Sequence, residues 1–214
     1  MEELDFRSGF VDSDLAEEFP ELELLYVGLE HGSGRSSEEV KQRLGELSNR
    51  FTGAKVVHMR QDPVPWAYRV FFRQVGVDPD TDRTPVEQIA LDRMKWGGLR
   101  STNLLDDALM IATVETGVPV IAFDADRVEE PLGLRLARDG ELLGGPEGRA
   151  LSVRQLVVAD PNAAVAVLFG DISEAHGVTP KTARMLLAAP SVKGVPRISV
   201  EEALWTASEI VVGG

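Results

Sequence analysis

An α+β fold is what this sequence predicts, and three observations carry it. Up to about residue 116, apolar residues recur at helical spacing in several separate segments. From Leu132 the texture changes: Leu132, Leu134 and Leu136 alternate with Gly133 and Arg135, the period-two pattern of a half-exposed strand. Val153 to Val158 and Ala164 to Phe169 then read as two buried strands, and helical patterning returns toward the C-terminus. The chain has 214 residues and 43% hydrophobic content, enough for a full core. With no internal repeat, low-complexity tract or long linker, the expectation is one domain over 1–214. Residues 1–60 form its strand–helix portion and 61–214 its main core.

The elements follow in order. Residues 1–18 are acidic and read as a loosely attached arm or a short helix. Leu22, Leu24, Leu25, Tyr26, Val27 and Leu29 make a strand, closed by the turn-like His31-Gly-Ser-Gly34. Ser36 and Glu39 have capping-box spacing for a helix with Val40, Leu44 and Leu47 on one face. A helix over Val64 to Val75 turns Val64, Ala67, Val70 and Phe71 inward, with Arg69 and Arg73 on another side. Thr84-Pro85-Val86-Glu87 combines a cap, a first-turn proline and a returning glutamate. That helix buries Val86, Ile89, Ala90 and Met94 and stops at Gly97-Gly98. Asn103, or Thr102, caps the next, with Asp106 and Asp107 in the first turn, where the dipole favours negative charge. Gly117 ends it. Val118, Val120, Ile121 and Phe123 read as a short buried strand with a polar rim, Asp124-Ala-Asp126-Arg127. Asp139-Gly140 is a turn and Gly144-Gly-Pro146 a loop. Two helices close the chain, one opened by Thr179-Pro180. The other is capped by Ser199 with Glu202 and has Ala203, Leu204, Ala207 and Ile210 as its apolar face.

Composition narrows the function. The net charge of −13 argues against indiscriminate nucleic-acid binding, because phosphate contact rests on Lys and Arg. The charge is uneven: residues 1–54 carry 5 basic and 13 acidic side chains, 55–100 carry 8 and 6, and 101–214 carry 9 and 16. Any RNA is therefore expected on the middle segment. There Arg60, Arg69, Arg73, Arg83, Arg93, Lys95 and Arg100 interleave with Trp66, Phe72 and Trp96. A charged helix surface over an aromatic core has the same composition, so both readings stand. With no cysteine there is no disulfide, thiolate metal site or cysteine nucleophile, which fits a reducing cytoplasm. No apolar run approaches the roughly 18 residues of a membrane span. His31 and His58 lie far apart and off metal-ligand spacing, so no metal and no cofactor are expected. There is no nucleophile elbow, phosphate-cradling glycine loop or dinucleotide fingerprint.

Asn103-x-x-x-Asp107 followed by Gly117-x-Pro119-x-x-Ala122-Phe123-Asp124-x-Asp126-Arg127 resembles the tRNA-editing domain of the phenylalanyl-tRNA synthetase beta subunit. It resembles still more closely the free-standing proteins made of that domain alone. Gly76-Val-Asp78-Pro79 with Arg83-Thr84-Pro85-x-Glu87, Arg135-Leu-Ala-x-x-Gly140-Glu141, Leu156-Val-Val-Ala-Asp160 and Gly177-Val-Thr179-x-x-Thr182 resemble the family's other segments. The resemblance implies a β-rich core of sandwich-like topology with helices packed around it. It also implies a domain that, in the synthetase, hydrolyses tyrosine wrongly attached to the phenylalanine tRNA. Carried over by position, the pocket glutamate falls on Glu174, the pocket histidine on Ile121, and a pocket Thr-Asn pair on Leu109 and Met110. Three polar positions are thus apolar here. No aminoacylation segment is recognisable, so a complete aminoacyl-tRNA ligase is not expected.

The candidate catalytic residues are Glu174 and His176, placed two apart on one side of an extended segment. An aminoacyl ester needs a positioned water and oxyanion donors, so Glu174 can orient or deprotonate that water, or hold the α-amino group. Asn103, Asp107, Leu109, Met110, Ile121, Asp124 and Arg135 are the candidate substrate contacts. Helix capping also explains Asn103 and Asp107, and a polar strand end also explains Asp124. Arg69, Arg73, Arg93, Lys95 and Arg100 are the candidate contacts to a tRNA acceptor end. The expected function is a stand-alone factor that deacylates a misacylated tRNA. The alternatives are a non-catalytic module that binds RNA or an amino acid in an inherited pocket, and a pocket for a small apolar metabolite without RNA.

Overall fold

The computed structural model describes residues 4–51 and 58–214. They fall into two compact units, Met1–Gly32 with Ile121–Ser191 and Ser33–Val120 with Val192–Gly214. Among the described residues every named strand lies in the first unit, and all helices but one short turn of helix in the second. The fold is α+β.

The sheet unit holds β1 (Arg7–Ser8), β2 (Phe10–Val11), α1 (Ser13–Glu18), β3 (Glu23–Leu29), β4 (Ile121–Asp124), β5 (Gly133–Leu136), β6 (Leu156–Ala159), β7 (Ala164–Val167) and β8 (Met185–Ser191). They make two four-stranded sheets, in the orders β1-β3-β8-β4 and β2-β5-β6-β7. All pairs are antiparallel except β2 with β5.

Residues 7–11 do not form a loose arm or a helix; they join the two sheets. β1 pairs with β3 and β2 with β5, so the chain changes sheets at Gly9. Gly9 donates its N–H to Leu24 O at 2.7 Å, and a Cβ there would lie 2.5 Å from Leu132 O. Only a residue without a side chain fits that passage. Residues 1–3 of the expected arm lie outside the described residues, and the short helix is α1, capped by Asp12.

β8 corrects a second expectation. Thr179–Arg184 form a turn instead of starting a helix, and Met185–Ser191 run as a strand between β3 and β4 with every residue buried. An unbroken apolar run of this length has no period to separate helix from doubly buried strand. β5 is likewise not half-exposed: Gly133, Leu134 and Arg135 are all buried and Leu136 is half-buried, and the Arg135 guanidinium is held by Glu141. Ala137, Leu143, Leu151, Val157, Ala159 and Ala164 form one core cluster of this unit, with Phe10 and Val167 packed against it.

The helical unit holds α2 (Glu38–Arg50), α3 (Pro63–Gln74), α4 (Pro85–Trp96), α5 (Leu104–Thr116) and α6 (Arg197–Gly213). Local chemistry sets most of the ends. Thr84 and Glu87 complete a capping box for α4, which stops at left-handed Gly97. Asn103 accepts from Asp106 N to start α5, which stops at left-handed Gly117. Two caps differ from expectation. Ser37, not Ser36, caps α2, and α6 begins after Pro196, ahead of Ser199. Its face Ala203, Leu204, Ala207 and Ile210 is buried, as the spacing predicts. In α3 the buried residues include Arg69 together with Ala67, Tyr68, Phe71 and Phe72; Arg73, four residues on, is exposed, and both guanidinium groups reach Asp80. In α4 Met94 is exposed, because the buried stripe ends at Ala90. Among the described residues no helix is long and apolar enough to cross a membrane.

Candidate functional site

Within the sheet unit, two loops enclose a cleft of about 700 Å³. One runs from Leu143 to Arg149 and the other from Asp171 to Ala175, so Glu174 lies on its wall. The first loop is a tight excursion after β5. Leu142 bridges Ala150, Leu143 N donates to Arg149 O at 2.9 Å, and Gly144 and Gly145 adopt φ of 79° and 99°. Its root is Glu141, whose carboxylate receives both arms of the buried Arg135 guanidinium, one at 2.7 Å, and the backbone N–H groups of Arg138 and Ala164 at 2.8 and 3.1 Å. Those donors hold the Glu141 carboxyl far below the ordinary carboxylate range, at about 2. Arg135 is therefore bound inward to Glu141.

The second loop is anchored on β7. Ile172 bridges Ala166, and Ser173 N donates to Val165 O at 2.9 Å. Ser173 O then accepts from His176 N and Gly177 N, at 3.0 and 2.9 Å, which makes Ser173–Gly177 a tight turn. The segment is not extended, so alternation does not place Glu174 and His176 side by side. Instead Glu174 is thrown outward and exposed, while His176 folds back, half-buried. His176 Nδ1 is buried without a hydrogen-bond partner among the described residues. A Cβ on Gly144 would come within 3.5 Å of it, and within 1.7 Å of Ser173 Oγ, so the two loops touch through a glycine. Burial lowers the His176 pKa, opposed by Asp160 and reinforced by Arg127. Burial thus favours the neutral form of the ring.

The cleft wall is more polar than apolar. Asp171 is paired with Arg149 at 3.0 Å, whereas neither Glu147 nor Glu174 has an ion-pair partner among the described residues. Glu147, Arg149, Ser173 and the anchor Glu141 escaped the sequence reading as site residues. The Gly144-Gly-Pro146 signal marked the loop but not what it faces.

The other candidates are held by structural bonds or are not among the residues that line the cleft. Asp124 accepts from Thr182 Oγ1 at 2.6 Å and Asp126 N at 3.0 Å, and its own N–H donates to His176 O, which pins the turn bearing His176. Ile121 begins β4 opposite Ala188 and is half-buried. In the helical unit, Asp107 is wholly buried and accepts from Ser36 Oγ and Ser101 Oγ, each at 2.6 Å, and from Thr102 N at 3.0 Å. Asn103 is bonded to Asp106 and Ser33. Leu109 and Met110 are half-buried on α5. Arg69, 4% exposed, bonds Glu87 and Asp80 at 2.6 Å each, so it is not a surface cation. Arg73, Lys95 and Arg100 are exposed, and half-buried Arg93 donates to Ser48 O.

Residues 67–206 match the B3/4 domain. The chain belongs to the B3/4 domain family. Its relatives include the phenylalanine–tRNA ligase beta subunit of Xylella fastidiosa (strain Temecula1), 35% identical over 43% of this chain and 12% of the subunit. The subunit of Pseudoalteromonas translucida is 34% identical over 52% of this chain and 14% of its own length. That of Parasynechococcus marenigrum is 35% identical over 44% and 13%. The B3/4 chain therefore matches about an eighth of the length of these ligase subunits.

Proposed function

We propose that this B3/4 protein is a cytoplasmic trans-editing factor that hydrolyses the ester of a misacylated tRNA. The observation that carries the reading is the Glu174 carboxylate on the wall of the polar cleft, without an ion-pair partner among the described residues and on the same turn as His176, whose charged form burial disfavours. An aminoacyl ester offers a positively charged α-amino group and an activated carbonyl. Glu147 and Glu174 supply negative charge for the first. Either Glu174 or neutral His176 takes a proton from water as its oxygen attacks the carbonyl carbon. The bond from that carbon to the ribose oxygen then breaks, and the proton returns to the ribose oxygen. Arg73, Arg93, Lys95 and Arg100 are the proposed contacts to the tRNA backbone.

A second reading has its own support. Leu109, Met110 and Ile121 carry no polar groups where the resemblance calls for them, which favours a non-catalytic module that holds RNA or an amino acid. Deacylation of a panel of mischarged tRNAs separates the two. The editing reading expects turnover of at least one pair, with Glu174→Ala reduced roughly 100-fold or more. No turnover on any pair sinks it, and binding of uncharged tRNA or free amino acid then supports the second.

A further inference from the structure

The helical unit carries an aromatic and cationic surface that the proposed hydrolytic cleft does not use. Trp96, the last residue of α4, is 50% exposed; Trp66 and Trp205 are exposed too, but among the described residues Trp96 alone has two cations over its ring. Lys95 Nζ lies 4.8 Å from the centre of its ring and the Arg100 guanidinium 4.5 Å. From Arg93 to Asn103 the chain holds three cations and no anion, although the protein as a whole has net charge −13. The surface is also braced. Gly97 turns the chain in the left-handed conformation, Leu99 N donates to Ser48 Oγ at 3.0 Å, and Arg93 Nε donates to Ser48 O at 3.2 Å. Ser48 is itself buried on α2, so the segment bearing Trp96 and Arg100 is fixed at two points.

We propose that Trp96, with Arg100 and Lys95, is a stacking platform for the unpaired bases of a single-stranded RNA end. The inference rests on the tRNA reading above and adds where, and by what chemistry, the single strand is held. Both cations lie over the indole ring, and swinging one aside to a phosphate frees a π-face for a base that duplex RNA keeps in its own stack. The adjoining ammonium and guanidinium then meet the phosphates. A protein partner docked through Trp96 alone would leave Lys95 and Arg100 unmatched, whereas a nucleic acid matches all three.

The test uses the full chain with Trp66→Phe and Trp205→Phe, which leaves Trp96 as the one tryptophan of the three. It is titrated with a ten-nucleotide single-stranded RNA and with a blunt RNA duplex. The single strand is expected to quench Trp96 fluorescence and bind at least tenfold tighter than the duplex. Trp96→Ala, in the otherwise natural chain and followed by anisotropy of labelled RNA, should weaken binding roughly tenfold or more. The log of affinity should fall with log salt at a slope of about −1.4 for two phosphate contacts. Arg100→Lys should weaken binding while leaving that slope unchanged, which separates stacking from charge. Equal affinity for the duplex, no effect of Trp96→Ala, or self-association of the chain that Trp96→Ala abolishes would each overturn the proposal. Loss of hydrolysis in Glu174→Ala with RNA binding intact leaves it standing. Intact hydrolysis without single-strand binding at Trp96 refutes it and leaves the editing reading.

Discussion

Glu141→Gln tests the anchor of the cleft. The Glu141 side chain is 12% exposed and that of Arg135 6%, so this ion pair is shielded from water. The carboxyl is held at about 2 against an ordinary 4.5. A difference of that size corresponds to about 3 kcal/mol of stability. Because the folded-state pKa is depressed, the contribution is complete above pH 4.5 and is lost as pH falls toward 2. Breaking one side of a buried pair also leaves the guanidinium uncompensated, at a typical cost of about 3–5 kcal/mol, and the two magnitudes agree. Urea unfolding of wild type and Glu141→Gln should therefore differ by about 3 kcal/mol at pH 7, narrowing to between about 1 and 2 kcal/mol at pH 3. The double variant Arg135→Met with Glu141→Leu should recover part of the loss, since no buried charge is left alone. A difference below about 1 kcal/mol at pH 7, or one that does not change between pH 7 and pH 3, would refute the reasoning.

Further outcomes are expected at four other residues. Asp107→Ala leaves two hydroxyls and one N–H without their acceptor at a wholly buried site, and should cost about 2–4 kcal/mol in chemical denaturation. Gly9→Ala should lower the melting temperature by several degrees, because its Cβ meets a backbone oxygen. Gly45→Ala, in the interior of α2 with open space around it, should raise stability by about 0.5–1 kcal/mol. The His176 ring resonances should titrate below the ordinary 6.5. A depressed histidine pKa means the unfolded chain binds the proton first, so stability should fall as pH drops from 6.5 to the folded-state value. His176→Gln should remove that portion of the acid dependence. If the ring also serves as base, deacylation should persist below pH 6.5.

Where the sequence alone was sufficient, the physics was local. The capping box of Thr84 and Glu87, the Asn103 cap, and the left-handed stops at Gly97 and Gly117 each involve partners within about four residues, so spacing reveals them. The motif around Asp124 likewise pointed to the B3/4 family through contiguous residues. Glu174 became a candidate through that resemblance, whereas its place on a cleft wall and its turn are visible only in the fold. It depends on Ser173 O accepting two N–H groups, which replaces the extended segment that alternation predicts.

The remaining features depend on partners that sequence spacing does not display. Met185–Ser191 is a strand because β3 and β4 lie on its two sides; its apolar run is equally compatible with a helix. Arg69 reads as a surface cation until Glu87 and Asp80 are seen to receive it. Ser36 reads as a helix cap until Asp107, 71 residues away, takes its hydroxyl. Residue type and spacing thus determined the class of fold, most helix ends and the family. Burial and long-range pairing, which exist only once distant segments meet, decided which charges are structural and which face the cleft.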